Sequence, residues 1–176
     1  MSLIKTILCE AISADIASVG LKTIELTDPK PGEVRVRLKA CAVNFTDLLM
    51  IRGKYQHKPP LPFAPGGEVA GDIEAVGPGV VGIGVGDAVR ASIRCGGYSE
   101  AVNVPAAVVK PIPRNMSYAK AACYHNAYLT AYVALARRGQ LAAGETLLVH
   151  GATGGVGMAA VDLGKRFGAT VIATGG

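Results

Sequence analysis

The stretch that decides the fold is Glu145-Thr-Leu-Leu-Val-His150, followed without a gap by Gly151-Ala152-Thr153-Gly154-Gly155-Val156-Gly157. After it come MAAVDLGKRF (158–167), Gly168 and TVIAT (170–174). The first segment is a short, unbroken apolar run of the kind that forms a strand buried on both faces. The residues from Met158 to Phe167 are helix formers, and Gly168 supplies a stop. Thr170 to Thr174 reads as a second buried strand. Strand, tight turn, helix and strand within about 30 residues form the opening unit of a doubly wound, mostly parallel sheet.

The glycines give that turn a chemical meaning. Gly151 would leave the strand in a tight turn, and Gly154 and Gly155 carry no Cβ to obstruct an incoming diphosphate. Gly157 would let the helix start close to the strand. The unbonded N–H groups of Gly155, Val156 and Gly157 would then face an anion at the positive end of the helix dipole, with Ala152 in the floor of the turn. The spacing is G-x-x-G-x-x-G, a variant of the usual dinucleotide fingerprint. A glycine-rich link between strand and helix, with no ligand, is the plainer alternative. The second strand ends in Thr174-Gly175-Gly176, without an acid. An acid there would bind the adenosine ribose hydroxyls and repel a 2′-phosphate, so its absence favours NADPH over NADH.

Upstream, residues 1–115 read as an all-β, barrel-like domain, and 116–176 as the first part of a nucleotide-binding domain. In Glu33–Val43, Val34, Val36, Leu38 and Ala40 alternate with Arg35, Arg37 and Lys39, the pattern of a half-solvated antiparallel strand. Further strands are expected at Glu68–Val76, Ala88–Ile93 and Ala101–Val109, with glycine-rich turns between the first three. Met1-Ser2-Leu3 is given no structural weight. Met116–Arg138 predicts one or two helices, capped by Ser117, interrupted near His125-Asn126 and stopped at Arg137-Arg138-Gly139.

Bulk properties exclude several classes. Of 176 residues 50% are hydrophobic and 18% charged, which supports a buried core and argues against disorder. The net charge of +5 comes from scattered cations, and there is no Trp, so a nucleic-acid interface is not expected. Cys9, Cys41, Cys95 and Cys123 are widely spaced and form no C-x-x-C pair, which suits a reducing cytoplasm. Glu10 and Asp15 interrupt any signal-peptide core, and no membrane span is expected.

Several separate motifs, in order, carry a resemblance. Asn44-Phe45-Thr46-Asp47, Arg52-Gly53-Lys54-Tyr55, Pro62-Phe63-Ala64-Pro65-Gly66-Gly67-Glu68, Val85-Gly86-Asp87, Leu129-Thr130-Ala131-Tyr132 and Gly154-Gly155-Val156-Gly157 resemble the medium-chain dehydrogenase/reductase superfamily. Within it they are similar to the NADPH:quinone oxidoreductase (zeta-crystallin-like) branch. The resemblance implies an α/β protein, with a GroES-like β-barrel catalytic domain followed by a Rossmann domain that is incomplete in this chain. It also implies a homodimer. Zinc-dependent members hold their metal with Cys, His and Cys; the corresponding positions here are Asn44, Gly67 and Asn126. An amide oxygen and a glycine cannot replace thiolate and imidazole around Zn²⁺, so no metal is expected. Cys123 and His125 lie near the third position, but a Cys-x-His pair without further ligands is usually packing.

The chemistry the resemblance implies is hydride transfer from NADPH to an acceptor that tolerates negative charge, a quinone or an α,β-unsaturated carbonyl. Asn44 and Tyr55 would line the substrate side as hydrogen-bond donors, and Thr130 would contact the nicotinamide end. Thr174 and Gly175 join Gly151–Gly157 on the cofactor side. Asp47 is expected to be structural, and Glu68 to pair internally. Family members run to roughly twice this length, so the chain is expected to derive from a longer enzyme, or to bury its strand edges against another copy. It is not expected to bind NADPH tightly or to be active alone. Two rivals remain: enoyl thioester reduction, as in the reductase modules of fatty-acid or polyketide synthases, and a non-catalytic crystallin-like or RNA-binding role.

Overall fold

The computed structural model describes residues 2–176. The chain divides into two compact units, one running through Cys123 and the other spanning Tyr124–Gly176.

The first unit is β-rich. Strands β1 (Ser2–Cys9) and β2 (Val19–Leu26) form an antiparallel pair. Strands β3 (Glu33–Cys41), β4 (Glu68–Val76), β5 (Ala88–Ser92), β6 (Ala101–Pro105) and β7 (Val109–Pro111) form one antiparallel sheet in the order β6-β3-β4-β5-β7. β1 is tied to neighbouring segments by antiparallel bridges at Thr6–Ser99 and Cys9–Phe63. Val34, Val36, Val69, Ile73, Val89, Ala91, Val104 and Val109 fill the core of this unit. Each fully buried valine contributes on the order of 1.5–3 kcal/mol. Between β3 and β4 lies the short helix α1 (Phe45–Ile51).

Four details depart from the sequence pattern. Residues 2 and 3 belong to β1, paired with Leu26 and Glu25. Arg35 is buried rather than solvated, because Ser2, Thr27 and Asn103 cover its face of β3. Its guanidinium is satisfied by Asn103 Oδ1 at 3.1 Å, Ser2 Oγ at 3.0 Å and the Thr27 carbonyl at 2.6 Å. The run Ala101–Val109 is two strands, because a 3₁₀ turn at Ala106–Val108 follows Pro105. Proline has no N–H to continue the ladder. Finally, helix α2 (Tyr118–Tyr132) passes straight through His125-Asn126. Neither residue breaks a helix as Pro or Gly would. The irregularity comes later, as a π-helical segment at Val133–Arg138. Ser117 does cap α2, its Oγ accepting from the Lys120 N–H at 3.3 Å.

The second unit carries β8 (Thr146–His150), α3 (Gly155–Arg166) and β9 (Thr170–Thr174). β8 and β9 pair in parallel, the β-α-β arrangement read from the sequence. The expected burial on both faces is not met: Val149 is buried, but Leu148 and Ile172 stand about half exposed. The sheet has two strands, and α3 packs on them with Gly164 against Leu147 and Val171. No helix among the described residues is long and apolar enough to cross a membrane.

Gly71, at the β3–β4 register shift, leaves no room for a side chain, since a Cβ there would overlap the Arg37 carbonyl. Gly71→Ala is expected to cost about 1–3 kcal/mol, seen as a lower urea midpoint. Gly20→Ala, where nothing lies within 4 Å, should stay close to wild type.

Candidate functional site

In the barrel unit the site is built around Asp47. Asn44 is the N-cap of α1, and its backbone N–H donates to Asp47 Oδ2 at 2.8 Å. Asp47 Oδ1 accepts from the Gly66 N–H at 3.1 Å, and the Tyr98 hydroxyl donates to Oδ2 at 3.0 Å. One buried carboxylate thus joins three segments that are far apart in sequence, which accounts for its burial. Asp47 is structural, as its position after Asn44 suggested, and it is held by more than the local loop.

The Asn44 side chain is fixed in turn. Its Nδ2 donates to Oε2 of buried Glu68 at 2.9 Å, the internal partner expected for that acid. An amide nitrogen carries two hydrogens, so Asn44 retains a second donor while Glu68 holds the group in place. Tyr55 stands beyond the other end of α1 and packs against Cys9, Met50, Ile51 and Phe63. Asn44 and Tyr55 therefore lie beyond opposite ends of α1, a helix about 10 Å long at 1.5 Å per residue.

Electrostatics keep this region protonated where it must donate. Burial, then the charge and hydrogen bond of Asp47, push the Tyr98 phenol well above its ordinary range, so it stays a donor. Burial, helped by the Asp47 and Glu68 carboxylates, raises the Cys41 thiol from 9.0 to about 12. Cys41 is thus a thiol at neutral pH, unsuited to nucleophilic work. It fills the space beside Gly66 and Gly97, where a Cβ would come within 2.9 and 2.7 Å of its sulfur. Among the described residues no three or more His, Cys, Asp or Glu side chains come together as a metal site. Cys123 is exposed, and His125 stacks edge-on against Tyr124.

In the second unit the glycine turn has the geometry a diphosphate requires. Gly151 sits at φ +67°, a backbone region that favours glycine. The Ala152 N–H donates to the Thr174 carbonyl at 2.9 Å, which ties the turn to the end of β9. A side chain at Gly157 would overlap the Gly151 carbonyl. This is a closer constraint than helix–strand packing, because it lies within the turn itself. At Gly154 and Gly155 a Cβ would meet nothing nearer than 3.5 and 4.0 Å, so the concave side is open. α3 starts at Gly155, three residues earlier than its helix-forming run, and places the amides of Gly155, Val156 and Gly157 in the first turn. The residues present fit a diphosphate.

Beside the turn lies a hollow of about 470 Å³ whose lining includes Ala152, Thr153, Thr174 and Gly175 from the strand ends, with Asp162 and Lys165 from α3. Asp162 and Lys165 were not singled out in the sequence, where each reads as an ordinary polar helix position. Arg166 donates to Asp162 at 3.0 Å and Tyr128 to the same oxygen at 3.1 Å. The Arg166 hydrogen bond is the main cause holding the Asp162 carboxyl below its usual range. Thr130 is exposed on α2, two residues from the α–π junction.

Residues 30–114 match the alcohol dehydrogenase GroES-like domain. The human synaptic vesicle membrane protein VAT-1 homolog is 46% identical over 135 residues, 77% of this chain and 34% of that protein. The crystal structure of the human VAT-1 homolog-like protein superposes with TM-score 0.93 at 33% identity, over 99% of this chain and 57% of that one. Human quinone oxidoreductase is 38% identical over 149 residues, 84% of this chain and 45% of that protein.

The chain belongs to the medium-chain dehydrogenase/reductase superfamily. It is quinone oxidoreductase-like within it, and it spans under half the length of these curated relatives.

Asp47→Ala removes three hydrogen bonds to a buried charge and is expected to destabilise the chain by at least about 3 kcal/mol. Asp47→Asn, which keeps the shape and one acceptor oxygen, should lose less. Urea unfolding of the two variants checks the order.

Proposed function

We propose that the chain is part of an NADPH-dependent, zinc-independent oxidoreductase that delivers hydride to a quinone or an α,β-unsaturated carbonyl. The observation that carries this is the glycine turn at Gly151–Gly157, open at Gly154 and Gly155, with the amides of Gly155, Val156 and Gly157 in the first turn of α3. The crystal structures of the quinone oxidoreductase from Thermus thermophilus include its complex with NADPH; it is 33% identical with TM-score 0.79, over 96% of this chain and 52% of that one. The end of β9 lacks an acid, which suits a 2′-phosphate.

Bound NADPH would supply the hydride. The chain's residues bind and orient. The amides of Gly155, Val156 and Gly157 hold the diphosphate, while Ala152, Thr174 and Gly175 shape the wall beside it. Thr130, by its place in the family pattern, contacts the nicotinamide end. Asn44, anchored by Glu68, directs its second amide hydrogen at the acceptor oxygen, and the Tyr55 hydroxyl is a further donor. Zinc is not part of this chemistry, because Asn44, Gly67 and Asn126 offer no thiolate or imidazole. The four cysteines are free, in keeping with a cytoplasmic setting, and the family resemblance supports a homodimer.

The complete protein should oxidise NADPH with menadione in the presence of 1,10-phenanthroline. Loss of turnover on chelation, restored by zinc, would overturn the metal-free reading. Turnover with a crotonyl thioester but not with menadione would assign it to enoyl reduction instead. Gly155→Asp adds an acid at a helix start, where the fold tolerates it and a diphosphate does not. Its KM for NADPH is expected to rise about tenfold or more.

A further inference from the structure

The segment Arg52-Gly-Lys-Tyr-Gln-His-Lys58 carries three cations and a histidine in seven residues, and no acid occurs between Arg52 and Gly67. Arg94 comes to the same place from the loop after β5. Tyr55, Gln56, His57 and Arg94 line a polar hollow of about 530 Å³. Among the described residues none of Arg52, Lys54, His57, Lys58 or Arg94 forms an ion pair, although other barrel cations do, such as Arg37 with Glu74 and Lys22 with Glu10. Arg94 therefore brings to the lining of this hollow a cation with no ion pair among the described residues, and Arg52, Lys54 and Lys58 lie in the adjoining sequence. One wall of the hollow is an aromatic ring anchored on the core cluster of Cys9, Met50, Ile51 and Phe63.

We infer that this hollow is the subsite for an acidic substituent on the electron acceptor. The preferred acceptors are then aromatic quinones or enones bearing a sulfonate, carboxylate or phosphate group. The inference rests on the proposed hydride transfer, with Tyr55 on the acceptor side, and adds the acceptor's chemical class. A guanidinium presents paired donors that match the oxygens of such a group. Tyr55 offers the ring of the acceptor a flat apolar surface, and Gln56 and His57 add hydrogen-bonding groups to the same lining. A bare inorganic anion would use only Arg94, whereas an aromatic anion would use Arg94 and the Tyr55 ring together.

The test uses the complete protein and two readouts. Binding of redox-inert naphthalene-2-sulfonate and of neutral 2-naphthol is measured by calorimetry for the wild type, Arg94→Gln and Arg94→Lys. The wild type should prefer the sulfonate by about tenfold, a preference that Arg94→Gln abolishes and Arg94→Lys partly keeps. Equal affinity for the two ligands, or a preference that survives Arg94→Gln, would overturn the inference. So would displacement of the sulfonate by an equimolar amount of inorganic phosphate, which would mark a general anion site. Turnover with 1,4-naphthoquinone-2-sulfonate against menadione is followed in parallel, and the ratio of their KM values should change about tenfold in Arg94→Gln. Sulfonate binding without any quinone turnover would leave the subsite standing and reject hydride transfer to quinones.

Discussion

At position 157 the carbonyl of Gly151 occupies the place where a side chain would begin. That contact fixes how α3 leaves the strand. With no Cβ in the way, the helix can start at Gly155, which places the amides of Gly155, Val156 and Gly157 in its first turn. A larger residue at 157 would push the helix start away from Gly151 and remove the concavity. The open space at Gly154 and Gly155 and the bond from Ala152 to Thr174 both depend on this close approach. The phosphate binding proposed for this turn is thus a property of backbone geometry rather than of any charged side chain.

The barrel unit depends on a different kind of constraint. There a single carboxylate, Asp47, ties the Asn44 loop, Gly66 and Tyr98 together, and Glu68 holds the Asn44 amide. The arrangement orients a neutral donor, the Asn44 amide, by a hydrogen bond to the Glu68 carboxylate. Raised values for the Cys41 thiol and Tyr98 phenol fit the same picture, because both remain protonated and uncharged beside the carboxylates. Acid–base work by these groups at neutral pH is not required for hydride transfer to an acceptor that already carries the electronic demand.

Much of this was legible in the sequence because it is local. Glu68–Val76 is a strand over its full expected length, and Thr170–Thr174 likewise. The strand–glycine–helix–strand order needed only neighbouring residues. Helix α1 escaped notice because seven residues are too few to show helical periodicity, although Asn44 and Asp47 at its start are capping residues. β1 and β2 were missed because their pairing spans an irregular loop and their sequences alternate poorly. The Tyr98–Asp47 bond joins residues 51 apart, with no local signal to announce it. Alternation along β3 points Arg35 to solvent, but Ser2 and Thr27 cover it and override the pattern. The exposure of Leu148 and Ile172 belongs to a sheet of two strands, where an apolar run alone suggested burial.

The most direct measurement is an NADPH titration of the complete protein, isotopically labelled, followed through its backbone amide resonances. The amides of Gly155, Val156 and Gly157 should shift downfield together and saturate with the same affinity that NADPH shows in turnover. If they stay fixed while other regions respond, the glycine turn is a structural link and the cofactor site lies elsewhere.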